Sequence, residues 1–258
     1  MTVFELAVQD TAGIAVAQRI RPDRIELASA LSTGGTTPST GLVELAVASG
    51  TPVHVLVRPR LGDFEYDSAD RELLLADARH VLELGVAGIV IGGTRTGAVD
   101  RDLMTAVLEL AAGADVTFHR AFDTLSDRAA ALDALADLGV TRVLTSGGAS
   151  SVGDALGEIR ALVGRAAGAI QIMAGGGVDA SNAAIVASTG VDAVHASAKR
   201  TVSRGSAPSL GSADPGGAAS YETTDEAAAL LIRDALTDRT EVAPGSPWQP
   251  SARRLAGA

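Results

Sequence analysis

The stretch IQIMAGGGVDASNAAIVASTGVDAVHASAKR, residues 170–200, decides the fold. It opens on the apolar run Ile170–Ala174, turns through three glycines, enters a helical stretch near Asp179, stops at Gly190 and closes on a second run, Ala193–Ser197. Two such runs joined by one helix form a βαβ unit, with parallel strands and a right-handed crossover. The same alternation repeats outward from it. Strand-like runs lie at Val3–Val8, Arg24–Ala28, Val53–Arg58, Gly88–Gly92, Val116–His119 and Arg142–Thr145, and helical periodicity fills the gaps, as in Ala69–Leu84 and Arg128–Leu138. Gly50, Gly85 and Gly139 stand, like Gly190, where a helix must end before the next strand. Eight units predict an α/β fold, a closed parallel (β/α)8 TIM barrel, in one domain over residues 1–240. An open doubly wound sheet is the alternative, and the lack of an early GxGxxG after the first strand counts against it.

Composition narrows the function. The 258 residues are 47% hydrophobic and 20% charged, a globular balance. Lys+Arg 21 against Asp+Glu 31 gives a net charge of -10, which repels phosphate backbones and anionic lipid, so neither nucleic acid nor membrane is an expected partner. With no Cys there are no disulfides, thiolate nucleophiles or sulfur-ligated metal sites. MTVFELAVQD lacks the basic-then-apolar pattern of a secretory signal and no window of ~20 apolar residues follows, so a cytoplasmic protein is expected. Residues 201–222, dense in Ser, Gly and Pro, read as a flexible loop after the eighth strand. Thr223–Leu236 reads as the last helix, and residues 241–258, with Trp248 among three prolines, as an extended or disordered tail.

Active sites of parallel barrels lie at the carboxyl ends of the strands. Strand alternation places Glu5, Glu26, His54, Arg58, Thr117, His119, Thr145, His195 and Ser197 on the inward face, with Met173 outward. Arg58 is expected to sit between the carboxylates of Glu5 and Glu26, either as a structural ion network or as a working site. In the working reading, Glu26 is a general base with a raised pKa, His119 its partner acid, and Arg58 and Arg60 hold an anionic substrate beside Asp63. Arg120, Ser146, the Gly175-Gly176-Gly177 loop leading into a helix, Ser197 and Lys199 complete an expected anion site. If any metal is bound, His119, His195 and Glu26 are its candidate ligands. No Ser lies in a GxSxG elbow, so proton transfer is preferred over nucleophilic catalysis.

At these residues the chain resembles the CutC family of copper homeostasis proteins. The matching segments are RIELASALSTGGTTPS at 24–39, PVHVLVRPRLGDFEY at 52–66, TFHRAFD at 117–123, LGVTRVLTSGG at 138–148, IMAGGGV at 172–178 and VHASAKR at 194–200. The resemblance implies a TIM barrel, a cytoplasmic homodimer and a polar pocket at the strand ends, where the residues themselves predict anion binding. By motif position it carries over Glu26, Arg58, Arg60, Asp63, Thr117, His119, Arg120, Asp123, Ser146, His195 and Ser197. Where related sequences often have Cys, this chain has Ala7 and Ala28, and Lys199 replaces a family Arg. Copper is thus the cofactor implied by the family name alone, and Cu(I), which takes thiolate or thioether ligands, is disfavoured here. The competing expectation is a metabolic enzyme that moves a proton on a small phosphorylated or carboxylated metabolite, without a copper role.

Overall fold

The computed structural model describes residues 2–203 and 220–237. Eight parallel strands close into a barrel: β1 Val3–Val8, β2 Arg24–Leu27, β3 Val53–Leu56, β4 Gly88–Ile91, β5 Asp115–Phe118, β6 Arg142–Thr145, β7 Gln171–Ala174 and β8 Ala193–Ala196. Each pairs with its neighbours in sequence, and β8 pairs with β1 through Glu5 opposite His195, as expected of a TIM barrel. Around it lie α1 Thr11–Ile20, α2 Thr40–Ala48, α3 Ser68–Glu83, α4 Arg101–Ala111, α5 Arg128–Leu138, α6 Leu156–Ala166, α7 Ala183–Ala187 and α8 Glu226–Thr237. No helix among the described residues is long and apolar enough to cross a membrane.

Local chemistry explains the boundaries. Asp10, Ser39, Asp67, Asp100 and Asp127 each cap a helix by accepting a hydrogen bond from the N–H three residues on. At the other end, Gly139 takes φ 84 and lets Val140 N–H reach Leu135 O. Helices α4 and α6 end instead on alanines in the left-handed region, Ala112 at φ 48 and Ala167 at φ 44.

The core has two parts. Outward strand residues such as Leu6, Ile25, Val55, Ile89, Val143 and Ile172 pack against the helices in one continuous apolar layer. Two small apolar clusters fall outside that layer and fill part of the barrel interior: Ala28, Leu56 and Val90, and Leu144, Met173 and Ala193. The second corrects the expected parity of β6 and β7. Arg142 and Leu144 point inward, so Thr145 turns toward the helix layer, where its hydroxyl donates to Asp123 Oδ1 at 2.5 Å. Met173 likewise points inward, its Sδ 3.2 Å from Arg24 Nη2. Inward placement of Arg142 is stable because it finds acceptors inside the barrel.

Past β8, the segment expected to be a loop is at both ends a strand: Lys199–Ser203 pairs antiparallel with Ser220–Thr224. The β-branched Thr201, Val202, Thr223 and Thr224 favour this extended ribbon, and α8 consequently begins at Glu226 rather than Thr223. The rest of that segment, and the tail with Trp248, lie outside the described residues.

Candidate functional site

Inside the amino-terminal half of the barrel the charges satisfy one another. The Glu5 carboxylate is wholly buried and accepts from Arg24 Nε at 2.5 Å, with His195 Nδ1 2.8 Å from its other oxygen. Arg142 donates to Asp115, Thr117 and Gln171. Although burial alone would raise it, Glu5 is held well below the carboxylate range by the His195 hydrogen bond and by the charges of Arg24, His195 and His54. His54 lies at the same level, 3.7 Å from Asp115, and burial pushes it down to about 4. The cation that holds Glu5 is therefore Arg24 and not, as expected, Arg58. Strand register is the cause, since β1 and β2 place Glu5 directly opposite Arg24.

At the carboxyl ends the strands open into a cavity of about 990 Å³. Glu26, His195, Arg58 and His119 line it together with Phe64. Burial raises Glu26 to about 7; the nearby positive charges of His195 and Arg24 oppose this, and the negative charge of Glu5 adds to it. His195 is itself raised, because the charge of Glu26 and the bond and charge of Glu5 outweigh its burial. Its Nε2 lies 3.5 Å from Glu26 Oε2, so Glu5, His195 and Glu26 form a line from the sealed interior to the cavity.

His119 caps the short helix Arg120–Thr124: its Nδ1 accepts from Ala121 N–H at 3.2 Å. The proton of the neutral ring must then sit on Nε2, which has no partner among the described residues. Burial, assisted by the Arg58 charge, lowers His119 to about 3, so it is a neutral imidazole at physiological pH. Gly92 makes room for it, since a Cβ there would lie 2.5 Å from Nδ1. Arg58 is only 5% exposed and donates to Gly35 O and Gly62 O; its guanidinium stacks 4.9 Å from the Phe64 ring centroid. Its Nε–H has no partner, and no carboxylate of the described residues pairs with it.

The other sequence-predicted residues divide. Arg120, Gly176, Gly177, Ser197 and Lys199 line the same cavity. Arg60 does not: Asp70 at 2.6 Å, Asp63 at 3.1 Å and loop carbonyls occupy its guanidinium, so Arg60 and Asp63 brace the β3 loop. Ser146 is buried, donating to Ala149 O and accepting from Arg120, while Asp123 gathers Thr145, Ser146, Gly148 and Arg120. Lys199 pairs with Glu222 of the ribbon at 2.8 Å. Gly175 packs beneath the cavity against Leu144 and His195. The helix expected from Asp179 begins at Ala183 and has five residues. An Asn182–Asp179 turn precedes it, and no helix N-terminus feeds the glycine loop. Sequence reasoning missed Arg24, Arg142 and Phe64, the last visible as the aromatic of the Pro/Gly-punctuated loop after β3.

A copper ion does not fit these residues. Cu(I) takes soft sulfur donors. Met104 is buried in the helix layer and Met173 lies beside the Arg24 guanidinium. A harder ion would meet Glu5, Glu26 and His195, whose ligand atoms lie within 4.8 Å of one another, with His119 outside the group. Arg24 and His195 already occupy the oxygens of Glu5, which leaves one carboxylate and one imidazole.

Comparison with known proteins adds an independent finding. The CutC family model matches residues 2–200. A family protein CutC of Caulobacter vibrioides is 42% identical over 197 residues, covering 76% of this chain and 80% of the relative, and one of Sinorhizobium medicae is 41% identical over 182 residues, 70% and 74%. A crystal structure from Streptococcus agalactiae, bearing the name copper homeostasis protein CutC, superposes with a TM-score of 0.71 at 31% identity, covering 76% of this chain and 98% of that one. A deoxyribose phosphate aldolase of Aeropyrum pernix, at TM-score 0.56 and 18% identity over 75% of this chain and 85% of that one, shares the fold alone. With the motifs, the barrel and these relatives in agreement, the chain belongs to the CutC family.

Proposed function

We propose that this chain is a copper homeostasis protein of the CutC type whose working part is the pocket at the carboxyl face of the barrel, which binds a small anion, a carboxylate or a phosphate. One observation carries the reading: the Arg58 guanidinium is buried on the cavity wall with no counter-charge among the described residues. A buried charge without a partner is costly, and an anion entering the cavity would supply one. The fork of a guanidinium suits carboxylate and phosphate oxygens, and the Nε–H of Arg58 is buried with no partner among the described residues. His119 Nε2–H adds a second donor, and Arg120, beside Gly176, a third. Glu26 in its neutral form does not repel the guest. Copper enters through the name of a relative, and the species bound directly is the anion. In line with the family resemblance, the protein acts as a homodimer in the cytoplasm.

Thermal melts and calorimetry with acetate, pyruvate, inorganic phosphate and glycolaldehyde phosphate test this. Wild type is expected to bind at least one saturably with a rise in melting temperature, and Arg58→Met to stay folded and lose that rise. A wild type that responds to none overturns the reading. Light scattering checks the dimer against twice the 25.9 kDa chain mass.

A further inference from the structure

We propose that the cavity moves a proton on its guest: Glu26 takes a hydrogen from the carbon beside the carbonyl of a small carboxylated or phosphorylated aldehyde or ketone, and His119 Nε2–H stabilises the oxygen that becomes negative. The inference rests on the anion-binding reading, because Arg58 must hold the acidic end of the guest. Three features support it. Glu26 lines the cavity and makes no hydrogen bond to another described residue beyond its 3.5 Å approach to His195. His119 lines the same cavity, and its buried Nε2–H has no partner among the described residues, in a tautomer set by Ala121. Behind Glu26, His195 is held by Glu5, which Arg24 holds in turn. A base fixed from behind, a neutral donor and a cation around one cavity are the parts that carbon-acid chemistry needs.

The step balances without an oxidant or reductant. The C–H bond breaks, its proton goes to a Glu26 oxygen, its electron pair becomes the carbon–carbon double bond of an enolate, and the carbonyl π pair moves to oxygen beside His119. Return of a proton to the original carbon gives exchange with solvent; where that carbon bears a hydroxyl, the hydroxyl proton passes to the enolate oxygen, the carbon-derived proton returns to the former carbonyl carbon, and the hydroxyl carbon becomes the new carbonyl, which gives the isomer. The groups facing Glu26 are His195 from β8, 3.5 Å away, Glu5 from β1 and Arg24 from its own strand. His195 acts here as a positioning residue.

The test follows hydrogen loss by proton NMR in D2O, at C2 of glycolaldehyde phosphate and at C3 of hydroxypyruvate. Wild type is expected to exchange one of them saturably above the buffer rate. Glu26→Gln, with its fold checked by thermal melt, should slow exchange by about 10²–10⁴-fold while its calorimetric affinity stays within a few-fold of wild type. Glu26→Asp, a carboxylate set back by one methylene, should fall in between. His195→Gln should displace the pH midpoint of exchange, which a purely packing role would leave in place. Saturable binding without exchange, or Glu26→Gln exchanging like wild type, overturns the proton-transfer inference and leaves the anion pocket standing. If neither probe binds and Arg58→Met changes no melt, the pocket reading fails and the inference with it.

Discussion

The two ends of the barrel interior use the same residue types to opposite effect. Near the amino ends of the strands Glu5, Arg24, Asp115 and Arg142 meet as donor against acceptor, so charge is neutralised where it is buried. Near the carboxyl ends Arg58 and His119 keep N–H groups that no described residue fills, and Glu26 keeps a carboxyl whose ionisation is opposed by its surroundings. Neither the amount of buried charge nor its sign separates the two ends. What separates them is whether the permanent charges are paired: the closed end keeps only the Nδ1 of His54 unfilled, on a ring that burial holds neutral, whereas at the open end the Arg58 cation itself has no counter-charge among the described residues.

The sharpest way to break the comparison is to remove one partner at the closed end. Arg24→Met leaves Glu5 without its counter-cation and is expected to cost about 3–5 kcal/mol in urea denaturation, most of which the double variant Arg24→Met/Glu5→Leu should recover. Arg58→Met at the open end should cost less, about 1–3 kcal/mol, since it strands only the Gly35 and Gly62 carbonyls while removing an uncompensated charge. If Arg58→Met proves the more damaging, the two ends do not differ as described. Gly92→Ala forces the imidazole of His119 aside and is expected to cost a similar 1–3 kcal/mol, with loss of the NMR signature of its Nε2–H tautomer.

The pH dependence sharpens the contrast further. Glu26 is raised from 4.5 to about 7, so its contribution to stability is fully present below pH 4.5 and is lost as pH rises through 7. His54 and His119 are lowered from 6.5 to about 4 and about 3, so theirs is present above pH 6.5 and is lost as pH falls through 4 and 3. Between pH 5 and 6.5 the trends oppose. Glu26→Gln removes only the first, so its stability should climb more steeply with pH than wild type's, and urea midpoints at pH 5 and 6.5 that move in parallel would contradict this. The smallest effect is expected at the rim: Lys199→Ala breaks a half-exposed pair with Glu222 and should change stability by less than about 1 kcal/mol.

Much of the barrel was legible in advance because strand and helix periods differ so plainly. The α5 boundaries and those of β1 follow from periodicity and flanking residues alone. Glu26, Arg58, His119 and His195 were legible as inward residues because side chains alternate along a strand and each falls on the inward parity at or just past its strand's end. Which charge meets which was not. Pairing Glu5 with Arg24 depends on the stagger between β1 and β2, and inward Arg142 depends on Asp115 and Gln171 from strands 27 and 29 residues away. A rule that turns polar residues inward put Thr145 on the wrong face, since it weighed a hydroxyl above an arginine whose partners no single strand reveals.

The alanines that close α4 and α6 carry a consequence for how this protein can change over evolution. Ala112 and Ala167 are exposed and hold a left-handed backbone that glycine adopts without penalty. Each is a place where one substitution to glycine adds up to about 1 kcal/mol of stability. Both stand just ahead of a strand's amino end, across the barrel from the mouth, where new ligand contacts would have to be built. A reserve held at one face can thus absorb the destabilisation that altered recognition brings at the other, and the fold can explore new guests without first loosening its closed end.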